Sequence, residues 1–516
     1  MPPPSHRARA FIAMAAGVLF ALGTPPLNAI PLFFVGLGIL AWTLEAPPGD
    51  ASFTPKGAAL YGWLFAVGAN ATFKRFIPDT ITRFTPIPWA LAIVMYAGYC
   101  AFESVRWALA GYIARRGAKL GMPLAVSLSA GAFAASFVPS IIPWDAASAI
   151  SYWPVLEQMA ELVGQRGVGA LIVFIASLVA LALRLSRSDR RRALSLATAA
   201  ILLLGFQCLY GIVRMRAIDR EERILPRVRV ALLQPQIDAK ERWIPGLEGA
   251  ILDRLASLTK SAEARGVDLT VWSEAVYPYA IAHKSRQAPV GAAAPLQEGV
   301  HGPVLIGYLA SSTRGRFNSA AIVTSNGALS EPQDKLRLVW FGETLPLVGS
   351  IEWFRATFFR SLGIVAGDDV VLQRVGDVRA AVFNCFEDIL PSVGLEMGAE
   401  HPNLFINTTN DAWFEKSAQS EIHLRMAALR AVEHRRHLVR SVNAGVASWV
   451  DATGRVRARY DLPIASFLVA EPTLREGRTP YARVGDWPLV LVFTSFFVTA
   501  WHRTRSRRAT KDERRL

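Results

Sequence analysis

The strongest constraint on this 516-residue chain is the way its uncharged residues are bunched. Residues 10–44 carry no charged side chain and are interrupted only by Thr24-Pro25-Pro26-Leu27-Asn28. Since about 20 apolar residues cross a bilayer, this predicts two membrane helices joined by a tight turn. Further uncharged runs occupy 57–73, 85–102, 120–144, 167–183 and 193–213, and another lies at 487–501. Buried core helices would account for one or two such runs. Eight of them, nearly all in the first 213 residues, predict eight transmembrane helices. Only 19% of the residues are charged, against about 25% in soluble proteins, which argues against a single soluble globule. A 52% hydrophobic composition excludes disorder.

The basic residues then fall into register. The chain has 56 Lys and Arg against 41 Asp and Glu, a net charge of +15 that could suggest nucleic acid. Position argues otherwise. Arg7 and Arg9 precede the first run, Lys56 follows the second, and Arg115, Arg116 and Lys119 follow the fourth. Arg184, Arg187 and Arg190–Arg192 follow the sixth, and seven Lys or Arg come after Trp501. With alternating spans all these segments share one side, which the positive-inside rule makes the cytoplasm. Lys74, Arg75 and Arg83, in the third connection, are the exception. The charge is a topology signal, and no nucleic-acid partner is expected. Residues 1–217 are read as a seven-helix membrane domain, and 218–482 as a domain delivered to the external face. Residues 483–516 form the eighth span and a basic cytoplasmic tail.

The stretch 218–482 has a different character. Short β-rich runs at 228–233, 268–272, 304–309, 320–324, 378–383, 404–408 and 446–450 alternate with polar stretches. Residues 247–264 and 417–440 have helical periodicity; Ile422, Met426 and Leu429 form an apolar stripe in the second. Alternation of this kind predicts a layered α/β domain, large enough for its own core. Cys100, Cys208 and Cys385 are far apart and odd in number, so neither a disulfide framework nor a zinc site is implied.

Three short motifs carry chemistry. Leu269-Thr270-Val271-Trp272-Ser273-Glu274 ends an apolar run with a carboxylate, and Lys335 stands eight residues before Glu343. Val382-Phe383-Asn384-Cys385-Phe386-Glu387 ends another apolar run with a cysteine. A cysteine beside a lysine and a carboxylate has what covalent acyl chemistry requires. A nearby ammonium lowers the thiol pKa, a carboxylate can take the thiol proton, and the ammonium can then hold an oxyanion. Taken singly, these residues are more often a core cysteine, a loop lysine and a solvated glutamate. The ordered conjunction Glu274, Lys335, Cys385 is much more specific.

That order resembles the nitrilase (carbon–nitrogen hydrolase) superfamily. The leading and trailing spans narrow the resemblance to the apolipoprotein N-acyltransferase family. The local signatures are Lys335…Leu338-Val339-x-Phe341-Gly342-Glu343, Cys385-Phe386-Glu387 and Asn410-Asp411-Ala412-Trp413-Phe414. They continue as His423…Met426-Ala427…Arg430-Ala431-x-Glu433…Arg436 and Arg440…Asn443-x-Gly445. Gln234-Pro235-Gln236-Ile237, with Lys240 and Trp243, is similar to the loop that opens the domain in that family. The resemblance implies an αββα sandwich in which Cys385 is the nucleophile, Glu274 the general base and Lys335 the oxyanion stabiliser. Glu343 and Glu387 would be supporting carboxylates, and Trp243, Phe341, Phe386, Trp413 and Phe414 site-wall residues. The implied reaction moves an acyl chain from a phospholipid, through a thioester, to the N-terminal amine of a diacylated apolipoprotein. The setting would be the bacterial inner membrane with a periplasmic catalytic domain, and a monomer with no cofactor or metal.

Ser273, Trp340, Phe386, Pro235, Gln236 and Glu415 depart from the usual family pattern without removing a catalytic heteroatom. Glu433-His434-x-x-His437 lacks the metalloprotease order and reads as a polar helix face, and His423 as a structural hydrogen-bonding residue. Glu103 and Arg106 read as an i, i+3 pair. Two alternatives stand beside the acyltransferase: a membrane-tethered amidase of the same triad, and a non-catalytic lipoprotein-binding partner.

Overall fold

The computed structural model describes residues 5–45, 53–238, 240–340, 342–344, 363–414 and 417–513, without the side chains of Trp243 and 507–513. The chain divides into two compact units. One comprises 1–83, 87–213 and 484–516, the other 84–86 and 214–483.

The first unit is helical. The turn expected at Thr24–Asn28 separates helices His6–Leu22 and Ile30–Leu44, and the later runs supply Pro55–Phe73, Leu124–Ala135, Ala160–Leu185, Arg190–Glu221 and Trp487–Glu513. Small residues let these helices approach closely. A Cβ on Gly62 would lie 2.1 Å from Trp107 O, and one on Gly111 2.3 Å from Ala58 O, so Pro55–Phe73 and Val105–Lys119 touch backbone to backbone. The run at 85–102 corresponds to Trp89–Glu103, after which a break at Ser104 starts Val105–Lys119. The run at 120–144 is helical only over Leu124–Ala135. Among the described residues, two helices are long and apolar enough to cross a membrane, Ala160–Leu185 and Arg190–Glu221. The spacing of Glu103 and Arg106 is satisfied through other partners. Glu103 pairs with Lys74 at 3.3 Å and accepts from Ser140 Oγ and Ile141 N, while Arg106 donates to Ala135 O and Ser136 O.

The second unit contains two sheets. The first is built from β1 (Val230–Gln234), β2 (Leu269–Val271), β3 (Ala280–Ala282), β4 (Val304–Ser312), β5 (Gly315–Val323) and β6 (Gln333–Asp334). The second holds β7 (Gln373–Val375), β8 (Val378–Asn384), β9 (Leu404–Thr409), β10 (Leu438–Val442), β11 (Ala447–Val450) and β12 (Val456–Tyr460). The last strand, β13 (Ser466–Ala470), returns to pair antiparallel with β1. The orders are β13-β1-β2-β4-β5-β6, with β3 on β4, and β12-β11-β10-β9-β8-β7.

Strand alternation creates the layers. Val230, Leu232, Leu269, Val271 and Ile322 of the first sheet meet Val382, Leu404, Ile406 and Val439 of the second. Ala231 and Leu233 turn the other way, onto Ile251, Leu252 and Leu255 of helix Glu248–Glu263. Outside the second sheet, helix Gln419–His434 brings His434 against Phe405. This is the expected nitrilase-like αββα sandwich. Within the second sheet β8, β9 and β10 are parallel, as are β1, β2 and β4 in the first. The carboxyl ends of β2 and β8 therefore open at loops that can converge, the usual place for a site in such sheets.

One expectation fails clearly. Residues 417–440 are not one helix: it ends at His434, Arg435 takes a left-handed conformation (φ +51°), and Leu438–Val442 becomes β10. His434, Arg435, Arg436 and His437 are all buried, not a solvated polar face. Arg436 Nε donates to Pro402 O, and the His437 ring bonds Glu222 and Trp449.

Candidate active site

Three of the predicted residues come from three different strand ends. Glu274 lies three residues beyond β2, Lys335 directly follows β6, and Cys385 directly follows β8. Lys335 Nζ lies 3.1 Å from Glu274 Oε1 and 2.7 Å from Glu343 Oε1. Its backbone is fixed as well, with Lys335 N donating to Asn318 O and Gly367 N donating to Lys335 O. Lys335 is 1% exposed. Burial opposes its charge, but Glu274, Glu343 and Cys385 outweigh that, and its pKa stands well above the ordinary value. The lysine is therefore a fixed ammonium between two carboxylates.

Glu274 has a second anchor, since Asn318 Nδ2 donates to Glu274 Oε1 at 2.7 Å. A third influence is Arg242, whose pKa burial pushes down to about 10 while Glu274 pulls it back up. Its Nη2 donates to Tyr277 O. Glu343 Oε2 accepts from Val339 N, so the carboxylate that holds Lys335 is itself held by the loop between them.

Cys385 sits at φ +57°, a conformation that costs a non-glycine residue about 1–2 kcal/mol and needs external support. Glu387 supplies part of it. Its Oε2 accepts from Asn384 N, and its Oε1 from Leu336 N and Arg337 N, so one carboxylate ties the cysteine turn to the lysine loop. Burial pushes the Glu387 pKa up to about 7, against those three amides and Lys335. Asn407 Nδ2 donates to Cys385 O at 2.8 Å.

The thiol differs from the sequence expectation. Lys335 does pull its pKa down, as does the Thr409 side chain, but burial first and Glu274 second push it well above the ordinary range. The resting group is a thiol. It becomes a nucleophile only when a base takes its proton.

Phe386 belongs to this cluster, with Lys335 Nζ 5.6 Å from its ring centroid. Trp413 and Phe414 lie half-buried on the turn Asp411–Phe414, which follows β9. Phe341, the Trp243 side chain and Glu415 lie outside the described residues. Sequence reasoning passes over Asn318 and Arg242. Asn318 had a signal, as a polar residue inside the apolar strand β5; Arg242 had none beyond adjacency to Trp243. A further set at Asp388, Asp411, His423 and Arg440 is also buried.

Comparison with known proteins fits this geometry. A family model described as apolipoprotein N-acyltransferase N-terminal domain matches residues 16–178, and one described as carbon–nitrogen hydrolase matches 229–473. An apolipoprotein N-acyltransferase of Allorhizobium ampelinum is 30% identical, covering 87% of each chain. One from Geobacter metallireducens is 28% identical over 92% of this chain and 91% of its own. Among solved structures, an amidase from Nesterenkonia sp. superposes on 52% of this chain and 98% of its own, at 15% identity and a TM-score of 0.37.

Proposed function

The chain belongs to the apolipoprotein N-acyltransferase family and is an acyltransferase acting in lipoprotein N-acylation, and from that premise we propose that Cys385 carries the acyl group between its two lipid substrates. The donor is a membrane phospholipid and the acceptor the α-amine of a diacylglyceryl-modified N-terminal cysteine. Glu274 takes the thiol proton as Cys385 Sγ bonds to the ester carbonyl carbon. The resulting oxyanion is held by Lys335. Collapse breaks the ester bond, and the lysophospholipid leaves as an alcohol with the proton returned by Glu274. In the second half the acceptor amine attacks the thioester carbonyl and loses a proton to Glu274. The C–S bond then breaks to give the amide and the free thiol.

Glu343 keeps Lys335 in place, and Glu387 holds the Cys385 turn against the lysine loop. Phe386, Trp413 and Phe414 wall the site, a role that the family resemblance also gives Trp243 and Phe341. The observation that carries the reading is the Lys335 ammonium within 3.1 Å of Glu274, with both charges acting on the Cys385 thiol. A thiol held protonated beside a carboxylate needs that carboxylate as base. Lipid-anchored substrates also give a reason for the membrane unit. The proposal places eight spans in the bacterial inner membrane and the catalytic unit outside the cytoplasm. The loops rich in Lys and Arg support it, and so does Lys74, whose charge in an external connection is neutralised by buried Glu103. Water must be kept from the thioester, or transfer becomes hydrolysis.

The test is a transfer assay with the full-length protein in phospholipid micelles and a diacylated lipopeptide. Cys385→Ala should abolish transfer. Lys335→Arg should lose at least tenfold, because a planar guanidinium cannot replace a compact ammonium between two carboxylates. Near-normal turnover in either variant contradicts the assignment.

A further inference from the structure

Outside the proposed triad, the described residues contain one more group of buried charges beside the nucleophile turn. Asp388 lies in the same short turn as Cys385, Cys385–Ile389, and is fully buried. Its Oδ1 lies 2.8 Å from His423 Nε2, and its Oδ2 pairs with Arg440 of β10. His423 comes from helix Gln419–His434, and its other ring nitrogen, Nδ1, lies 3.3 Å from Asp411 Oδ1. Asp411 opens the turn that carries Trp413 and Phe414. Its Oδ2 accepts from Ser420 Oγ at 2.5 Å, and Ser420 Oγ accepts from Val446 N. One imidazole thus joins the segment bearing Cys385 to the segment bearing Trp413 and Phe414.

The protonation state follows from geometry. A neutral imidazole has one donor and one acceptor nitrogen, so either tautomer would aim a lone pair at one of the two carboxylates. Only the imidazolium donates to both. Charges then balance: His423 and Arg440 against Asp388 and Asp411. Removing one proton would leave a net negative charge in a buried site, which is costly.

We propose that His423 is a positioning residue for the acyl transfer, acting as a cationic clamp that holds the Cys385 turn and the Trp413–Phe414 turn in register. It acts through its two partners, Asp388 and Asp411. The groups facing it from each packed element are Asp388 from the nucleophile turn, Asp411 from the following turn, Arg440 from β10 and, on its own helix, Ser420 by way of Asp411. Burial and Arg440 disfavour its charge, yet the two aspartates outweigh them and its pKa stands at about 9. Lys335 and Cys385 are both held well above their ordinary values. A loss of rate near pH 9 is therefore the signature of the clamp.

The inference rests on Cys385 as nucleophile, and its test separates the two. Initial rates of lipopeptide acylation by the full-length protein in phospholipid micelles are measured from pH 6 to 10. The wild type should rise as the acceptor α-amine loses its proton, ordinarily at about pH 7.7–8, and then fall on the alkaline side with a midpoint near 9. His423→Gln should lower kcat about tenfold with KM for the lipopeptide unchanged, and should lose that alkaline limb. Asp411→Asn removes one of the two stabilising charges and should move the midpoint down by about one pH unit. If His423→Gln does not fold, the Asp411→Asn midpoint decides. An unmoved midpoint in Asp411→Asn, or a full kcat with an intact limb in His423→Gln, overturns the clamp. Acyl labelling of Cys385 in the wild type is measured in parallel; its absence would overturn the nucleophile assignment instead.

Discussion

Cys385 is pulled two ways by its charged neighbours, Lys335 favouring the thiolate and Glu274 the thiol, and burial sides with Glu274. This gives one substitution opposite effects on two measurements. Glu274→Gln removes the negative charge, so the Cys385 pKa should fall, and alkylation by iodoacetamide at pH 8 should speed up several-fold. Acyl transfer should meanwhile drop by a factor of at least 100, because the base that moves the proton is gone. Slower alkylation together with lost transfer would mean that Glu274 acts by activating the thiol in the resting state, contrary to this account. The Glu274, Lys335, Cys385 order was legible from sequence because Glu274 and Cys385 close apolar runs and Lys335 stands eight residues before Glu343. The direction of the thiol shift was not, since it depends on how deeply the three are buried together.

Between elements, the site depends on close backbone approach. A Cβ on Gly307 of β4 would lie 2.3 Å from Ser273 O and 2.7 Å from Ala275 N, the residues flanking Glu274. Gly307→Ala should therefore cost about 1–3 kcal/mol of stability and lower transfer tenfold or more. A thermal melt and a rate together check it; an unchanged rate would show that Glu274 tolerates displacement. The His423 clamp makes a separate stability claim. Its pKa is raised from an ordinary 6.5 to about 9, so its contribution is full below pH 6.5 and is lost as pH rises through 9. The melting temperature of the wild type should fall over that interval more than that of His423→Gln. A parallel fall in both would remove the claim. Elements differed in legibility for physical reasons. The runs at 304–309 and 378–383 read as strands because, Arg379 apart, they are apolar and buried on both faces. Residues 417–440 read as one helix because Arg440 and Ser441, inside β10, are polar and buried, with Arg440 neutralised by Asp388 and Ser441 Oγ bonded to Leu233 O and Val271 O. No local pattern reports such long-range partners.

At the scale of the whole molecule the proposal is a topology and a chemistry. A reporter active only outside the cytoplasm should work when fused near residue 300 and stay silent when fused after residue 190 or at the C-terminus. The reverse pattern would invert the membrane unit and remove the lipoprotein substrate from reach. The apolar runs made the helical unit legible from sequence, while the break at Ser104 and the Lys74–Glu103 pair emerge only from packing. The chemistry is tested most directly by looking for the acyl group on the enzyme. Protein mixed with phospholipid alone, without acceptor, should gain the mass of one long acyl chain on the peptide containing Cys385. Neutral hydroxylamine should remove it, and a diacylated lipopeptide should discharge it. Cys100 is buried in helix Trp89–Glu103 and Cys208 belongs to helix Arg190–Glu221, and both should stay unmodified. Acyl label confined to those two cysteines, or retained by Cys385→Ala, would contradict the account.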